Sequence, residues 1–241
     1  MTVWRTELPR NTLFNETLTG LRNYYGNVVS TPKAALTMAD LFAFAACLRN
    51  VSNYFEHARD WCACLLAFFG LLRIGEYTGG TLRFRHVQVA AAGVEITVLR
   101  SKTSLVPVVV SLAKRGDQLC PVAAVEHYRS FFRLLQLPCG PDDFFFIARL
   151  KSGKTEALTD VVFIDRVRAL IIANFPDRDP QRYAGHSFRR GGATALALAG
   201  VEHSLIQRHG RWASDSFRRY LDTTDNAALR LAATQALVHR P

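Results

Sequence analysis

The sequence has no apolar run long enough to cross a bilayer. The longest, WCACLLAFFGLL at 61–72, falls well short of the ~20 residues a spanning helix needs and reads as a buried helix. It has no CxxC pair either. Cys62 and Cys64 sit inside that run and Cys47, Cys120 and Cys139 are isolated, so zinc-ligand spacing is absent and small core residues are the plain reading. The opening MTVWRTELPRN lacks the basic-then-apolar layout of a secretory leader, which points to a reducing, intracellular setting. No Walker loop and no paired acidic metal site occur, so no cofactor and no metal are expected. Long Gly, Ser or Gln tracts are missing too, and with 49% apolar and 21% charged residues the body should be globular and soluble.

What the chain has in excess is positive charge. Lys and Arg number 30 against 20 Asp and Glu, a formal +10, which favours a polyanionic partner such as nucleic acid or an anionic membrane surface. Its 241 residues suit one large domain or a domain with a short appendage. FNETLTGLRNYYGN (14–27) reads as a short helix, and VVSTPKAAL as a linker through Pro32. Thr37 can cap a helix beginning MADLFAFAACLRN, and a nearly all-apolar helix follows from about Phe55 to Leu72. TLRFRHVQVA, GVEITVLR and SLVPVVVSL are rich in β-branched residues and separated by AAG and SKT, which makes a small antiparallel meander. Pro121 opens a return to helical pattern that continues through LTDVVFIDRVRALIIANF and a final amphipathic NAALRLAATQALV. The expected fold class is α+β: mostly helical, around a three-stranded antiparallel sheet.

Positive charge is densest in HSFRRGGATALALAGVEHSLIQRHGRWASDSFRRYL (186–221), where Arg190, Arg208, Arg211, Arg218 and Arg219 are candidate DNA-binding residues. His186 and Arg189 are three apart and share a face if helical, while Gly191 and Gly192 allow close backbone approach. Arg73 follows a run that should be buried, so its guanidinium needs a carboxylate or a phosphate. Glu76, three residues on, is a structural partner. Lys102 lies in the turn between the second and third strands, where a solvated lysine is the ordinary reading. Trp212 follows a helix ended by Gly210, with Ser214 as a cap for the next, on which Tyr220 falls.

In order, Arg73, Lys102, the His186 to Arg189 pair, Trp212 and Tyr220 resemble the tyrosine recombinase, or phage integrase, family, whose signature runs arginine, hairpin lysine, HxxR, histidine or tryptophan, tyrosine. The resemblance covers about residues 34 to 238. Trp212 lies 26 after His186, as in the family pattern, and Tyr220 follows by eight, one fewer than in bacterial members. GRWASDSFRRY is closest in wording to integrases of crypton- and DIRS-type mobile elements. His209 is a rival for the histidine-or-tryptophan position, with Glu76 in support.

The resemblance implies site-specific recombination or DNA integration, with Tyr220 forming a 3′-phosphotyrosine and religation needing neither ATP nor metal. A type IB topoisomerase activity and a domesticated, non-cleaving DNA-binding protein are the alternatives. It also implies double-stranded DNA as partner, no membrane, and action in the nucleus of a eukaryote or the nucleoid of a bacterium. Residues 1–33 stand where the family carries a larger helical clamp domain and read as a remnant of its last helix and linker, so weak DNA binding by the chain alone is expected. Residues 34–241 are the expected catalytic domain. The terminal helix is expected either to dock on a neighbouring protomer in a homotetramer or to fold back on its own core.

Overall fold

A computed structural model describes residue 17 and residues 33–49, 55–99, 106–150, 152–214 and 217–218. The chain parts between Pro32 and Lys33, and everything below belongs to the second unit.

The domain is organised around one helix. Helix α1 spans Met38–Arg49 and α2 spans Phe55–Phe69. At the start of α1 the Thr37 hydroxyl accepts from the Asp40 N–H at 3.1 Å while the Asp40 carboxylate accepts from the Thr37 N–H at 2.9 Å, a reciprocal cap that serves two donors. Helix α2 is buried at Phe55 and from Ala58 to Phe68, with Glu56 and His57 half-buried, and from Trp61 onward its run is apolar all round, as a core helix must be. Its two buried charged residues are satisfied internally: Arg59 pairs with Asp60 and donates to the Ile147 carbonyl, and Asp60 also takes Arg166. Burial pushes the Cys62 and Cys64 thiols well above their ordinary range. Cys120 is also buried, Cys47 is half-buried and Cys139 exposed, all five as free thiols.

A four-residue helix α3 (Ile74–Tyr77) follows, then a 3₁₀ turn (Phe84–His86) and the sheet β1 (Val87–Ala90), β2 (Gly93–Val98), β3 (Val108–Ala113). The strands pair antiparallel in the order β1-β2-β3, with Val87 opposite Ile96 and Ile96 opposite Val110. Val94, Ile96, Val98, Val110 and Leu112 are buried on one face, the period-2 alternation of a half-covered sheet. Helix α4 (Pro121–Leu134), with proline at its first turn, packs between that sheet and α2. A two-stranded hairpin, β4 (Ile147–Arg149) with β5 (Thr155–Ala157), comes next; the sequence reading contains no such element. Helix α5 (Asp160–Asn174) is capped by the Thr159 hydroxyl, which accepts from the Val162 N–H at 3.3 Å.

Helix α6 (Gly185–Leu198) crosses α2, and α7 (His203–His209) packs on α6. Gly191 and Gly192 make the crossing close. A Cβ on Gly191 would stand 1.7 Å from the Leu36 carbonyl oxygen, and one on Gly192 2.2 Å from that of Phe68. The α+β class with its three-stranded antiparallel meander is what the sequence predicts. Among the described residues no helix is long and apolar enough to cross a membrane, and no three His, Cys, Asp or Glu side chains group as metal ligands.

Candidate active site

Helix α2 ends three residues earlier than its apolar run predicts. At Leu71 the backbone turns left-handed, with φ of 45°, while the Leu72 N–H reaches back to the Ala67 carbonyl at 3.1 Å and the Leu71 N–H to that of Phe68 at 3.3 Å. This is a Schellman turn with leucine where glycine is usual. Leu71 tolerates it because its side chain is buried among Ala193, Ala197, Ile206, Trp212 and Phe217.

Helix α7 ends the same way. The Trp212 N–H bonds the Gln207 carbonyl at 3.1 Å, the Arg211 N–H bonds that of Arg208 at 3.0 Å, and Arg211 is left-handed at φ 59°. Gly210 has no room for a side chain: a Cβ there would lie 1.6 Å from the Trp212 ring.

The two turns leave carbonyls that neither helix can satisfy, at the negative ends of both helix dipoles. His209 Nε2 donates to the Phe69 carbonyl at 2.7 Å. Arg211 Nη1 donates to the Gly70 and His209 carbonyls, each at 3.1 Å, and its Nη2 to that of Leu71 at 3.0 Å. Arg189, which is 0% exposed, spans both turns, with Nη1 on the Leu71 carbonyl and Nη2 on that of Gly210. The Trp212 ring lies against the Arg189 guanidinium, 3.9 Å from ring centroid to Cζ. Every carbonyl from Leu66 to Leu71 thus has a named donor.

Arg73 sits just beyond the first turn. Glu76, buried at 4% side-chain exposure, accepts from the Arg73 N–H at 2.9 Å and from Arg73 Nη1 at 3.0 Å, and takes Arg211 Nη2 on Oε2 at 2.8 Å. Burial pulls the Arg211 guanidinium below its ordinary value, and the Glu76 carboxylate opposes that. Arg73 keeps 22% of its side chain exposed. Three guanidinium groups therefore stand against one carboxylate, and the surplus charge reaches solvent at Arg73. His186, exposed on the first turn of α6, is brought to the same edge. Gly185 lies so close to Ile74 that a Cβ there would meet the Ile74 side chain at 2.6 Å.

Arg73, Glu76, Arg189, His209 and Trp212 thus converge, with the Arg73–Glu76 pairing that their spacing suggests. Two expectations are corrected. Arg211 is no surface DNA contact: its side chain is 6% exposed, held by Glu76 and three carbonyls, because the end of α2 needs donors there. His186 and Arg189 are on one helix but not in one environment, since the first lies on the exposed turn and the second under the crossing. Arg190 is half-buried, and Arg208 and Arg218 are exposed. Lys102, Arg219, Tyr220 and the segment 226–238 lie outside the described residues. The role of Leu71 was not legible, because nothing local marks a leucine as left-handed.

No protein-family model and no curated protein matches this sequence. Solved structures do. XerH site-specific recombinase bound to a palindromic difH substrate superposes with a TM-score of 0.64 at 18% identity, over 86% of this chain and 54% of that one. XerA recombinase gives 0.63 at 16% identity, over 97% and 77%. The fold is that of a tyrosine recombinase catalytic domain. FLP recombinase in a Holliday junction complex extends the likeness at 0.51 and 10% identity, over 87% and 55%. This chain spans about half the length of the XerH chain it matches. Within the recombinase fold, the crossing of α2 and α6 and the turns at Leu71 and Arg211 build the edge where Arg73 and His186 meet solvent.

Proposed function

We propose that this chain breaks and rejoins DNA strands in site-specific recombination or integration. The surplus of guanidinium over carboxylate at the end of α2, open to solvent at Arg73, is the observation that carries this reading. A phosphodiester is the anion it suits: Arg73 can swing from Glu76 onto a nonbridging oxygen and offset the charge that builds in the transition state. His186 bonds the same phosphate or takes the proton of the nucleophile. Tyr220 Oη attacks phosphorus, the bond to the 5′-oxygen breaks, and Lys102 protonates that leaving oxygen, which leaves a 3′-phosphotyrosine and a free 5′-hydroxyl. Reversal of the same steps rejoins the strands without ATP or metal.

Purified protein is incubated with nicked, supercoiled and suicide DNA substrates in the absence of metal, and denaturing gels are read for a covalent adduct. Wild type is expected to form it and Tyr220→Phe to form none. A second reading has one observation in its favour: Arg189 is wholly covered, with both terminal nitrogens on carbonyls, so it meets a phosphate only if the crossing opens. A DNA-binding protein that does not cleave would give salt-sensitive binding and no adduct on any of the three substrates.

A further inference from the structure

Arg211, expected from the sequence as a DNA contact, is 6% exposed at its side chain, and its surroundings suggest another role. Its guanidinium touches four groups on two separate turns: the carbonyls of Gly70 and Leu71 at the end of α2, that of His209 at the end of α7, and the Glu76 carboxylate. Glu76 in turn holds the Arg73 segment by its backbone, through the Arg73 N–H at 2.9 Å on the same Oε2 that Arg211 occupies. The Arg73 side chain rests on the other oxygen, Oε1, through Nη1. One oxygen therefore secures the main chain and the other holds the guanidinium.

We propose that Arg211 is a positioning residue that locks the Arg73 turn to the Trp212 turn, and keeps Glu76 neutralised when the Arg73 guanidinium leaves it for a phosphate. The proposal rests on the strand-transfer reading above. Without Arg211, departure of Arg73 would strand a buried carboxylate, which holds Arg73 back. With Arg211 in place the carboxylate keeps a fork-shaped partner and the backbone of Arg73 does not move. The left-handed backbone at Arg211 fits this role. That conformation is unfavourable for a residue with a Cβ, yet it aims the side chain back along α7 toward the end of α2. A lysine could keep the ion pair with Glu76, but one ammonium cannot serve that carboxylate and carbonyls on both turns.

The test compares full-length wild type, Arg211→Lys and Arg211→Ala in three measurements. The first is hydrogen exchange by mass spectrometry, which needs no activity. Arg211→Lys is expected to lose about tenfold protection in segments 70–77 and 207–212 while the β1-β2-β3 sheet and α4 keep theirs. The second is DNA affinity against salt concentration, where the slope should match wild type. The third is the single-turnover rate of adduct formation at saturating DNA, expected to fall about tenfold or more in Arg211→Lys with little change in half-saturation.

Unchanged protection in those segments overturns the proposal, as does protection lost throughout the domain. A salt slope smaller by about one makes Arg211 a phosphate contact and overturns it too. So does a Lys variant that recovers the rate together with thermal stability, which is the mark of plain fold support. If wild type forms no adduct, the strand-transfer reading fails on its own, and exchange with the salt slope still decides whether Arg211 locks the turns. Should Arg211→Ala not fold, the Lys variant carries the comparison.

Discussion

The Tyr77 ring is buried against Phe146 and Phe163, with centroids 6.3 and 5.6 Å away, and its hydroxyl has no hydrogen-bond partner among the described residues. Burial pushes the phenol well above its ordinary value, and the neighbouring Cys64 and Glu76 push the same way. Burial thus disfavours a phenolate there, so Tyr77 is a poor nucleophile despite its place beside Glu76. A buried hydroxyl with no partner costs about 1–3 kcal/mol of desolvation. Tyr77→Phe is therefore expected to leave stability unchanged or raise it by about 1 kcal/mol in urea titration, and to leave the adduct assay unaffected. At this scale the sequence was readable where the determinant is local. Glu76 pairs with Arg73 because three positions on a helical turn bring them together. Arg211 was not readable, since its neighbours in sequence say surface and only the approach of α2, more than a hundred residues away, makes it a buried donor.

At the scale of elements, the 3₁₀ turn Phe84–His86 holds a titratable group in a charged corner. His86 Nδ1 accepts the Arg83 N–H at 3.1 Å, and burial lowers the imidazole below its ordinary value. Arg85 and Arg83 add to the effect, while Asp142 and the Thr81 backbone oppose it. The folded state therefore binds the His86 proton less readily than the unfolded chain, so this contribution to stability is full at neutral pH and falls as pH drops below about 6.5. Urea unfolding at pH 7 and pH 5 should show a loss at the lower pH that is smaller in His86→Gln. If the two proteins lose equal stability, His86 is not its source. The turn itself was not anticipated, nor was the β4–β5 hairpin, whose strands of three residues are too short to show a period. Longer elements with start signals, such as those at Thr37 and Pro121, were legible because residues within the first turn decide where such helices begin.

For the whole molecule, the proposed strand transfer together with the formal +10 and the open edge at Arg73 predicts a DNA affinity that depends on salt. Log affinity should fall linearly with log salt, with a slope of roughly −0.9 per phosphate neutralised. Arg73→Ala should reduce that slope by about one unit, measured by fluorescence anisotropy on a labelled duplex. An unchanged slope would place the phosphate away from Arg73. The sequence carried the pairing of Arg73 with Glu76 and the closeness that Gly191 and Gly192 allow. It did not carry the depth of Arg189, because that burial depends on where α6 meets Leu36 and Phe68.

The Arg189 bridge from the Leu71 carbonyl to that of Gly210 also sets a schedule for biosynthesis. Its two acceptors lie far apart along the chain, so the pocket closes only after the ribosome has released residues well past Trp212. A nascent polypeptide that already exposes Arg73 and the hairpin sheet has no assembled turn at Arg211, and it meets nucleic acid as an ordinary basic chain. The Arg189 bridge then forms in one late step, once the turn at Arg211 has emerged and packed on the end of α2.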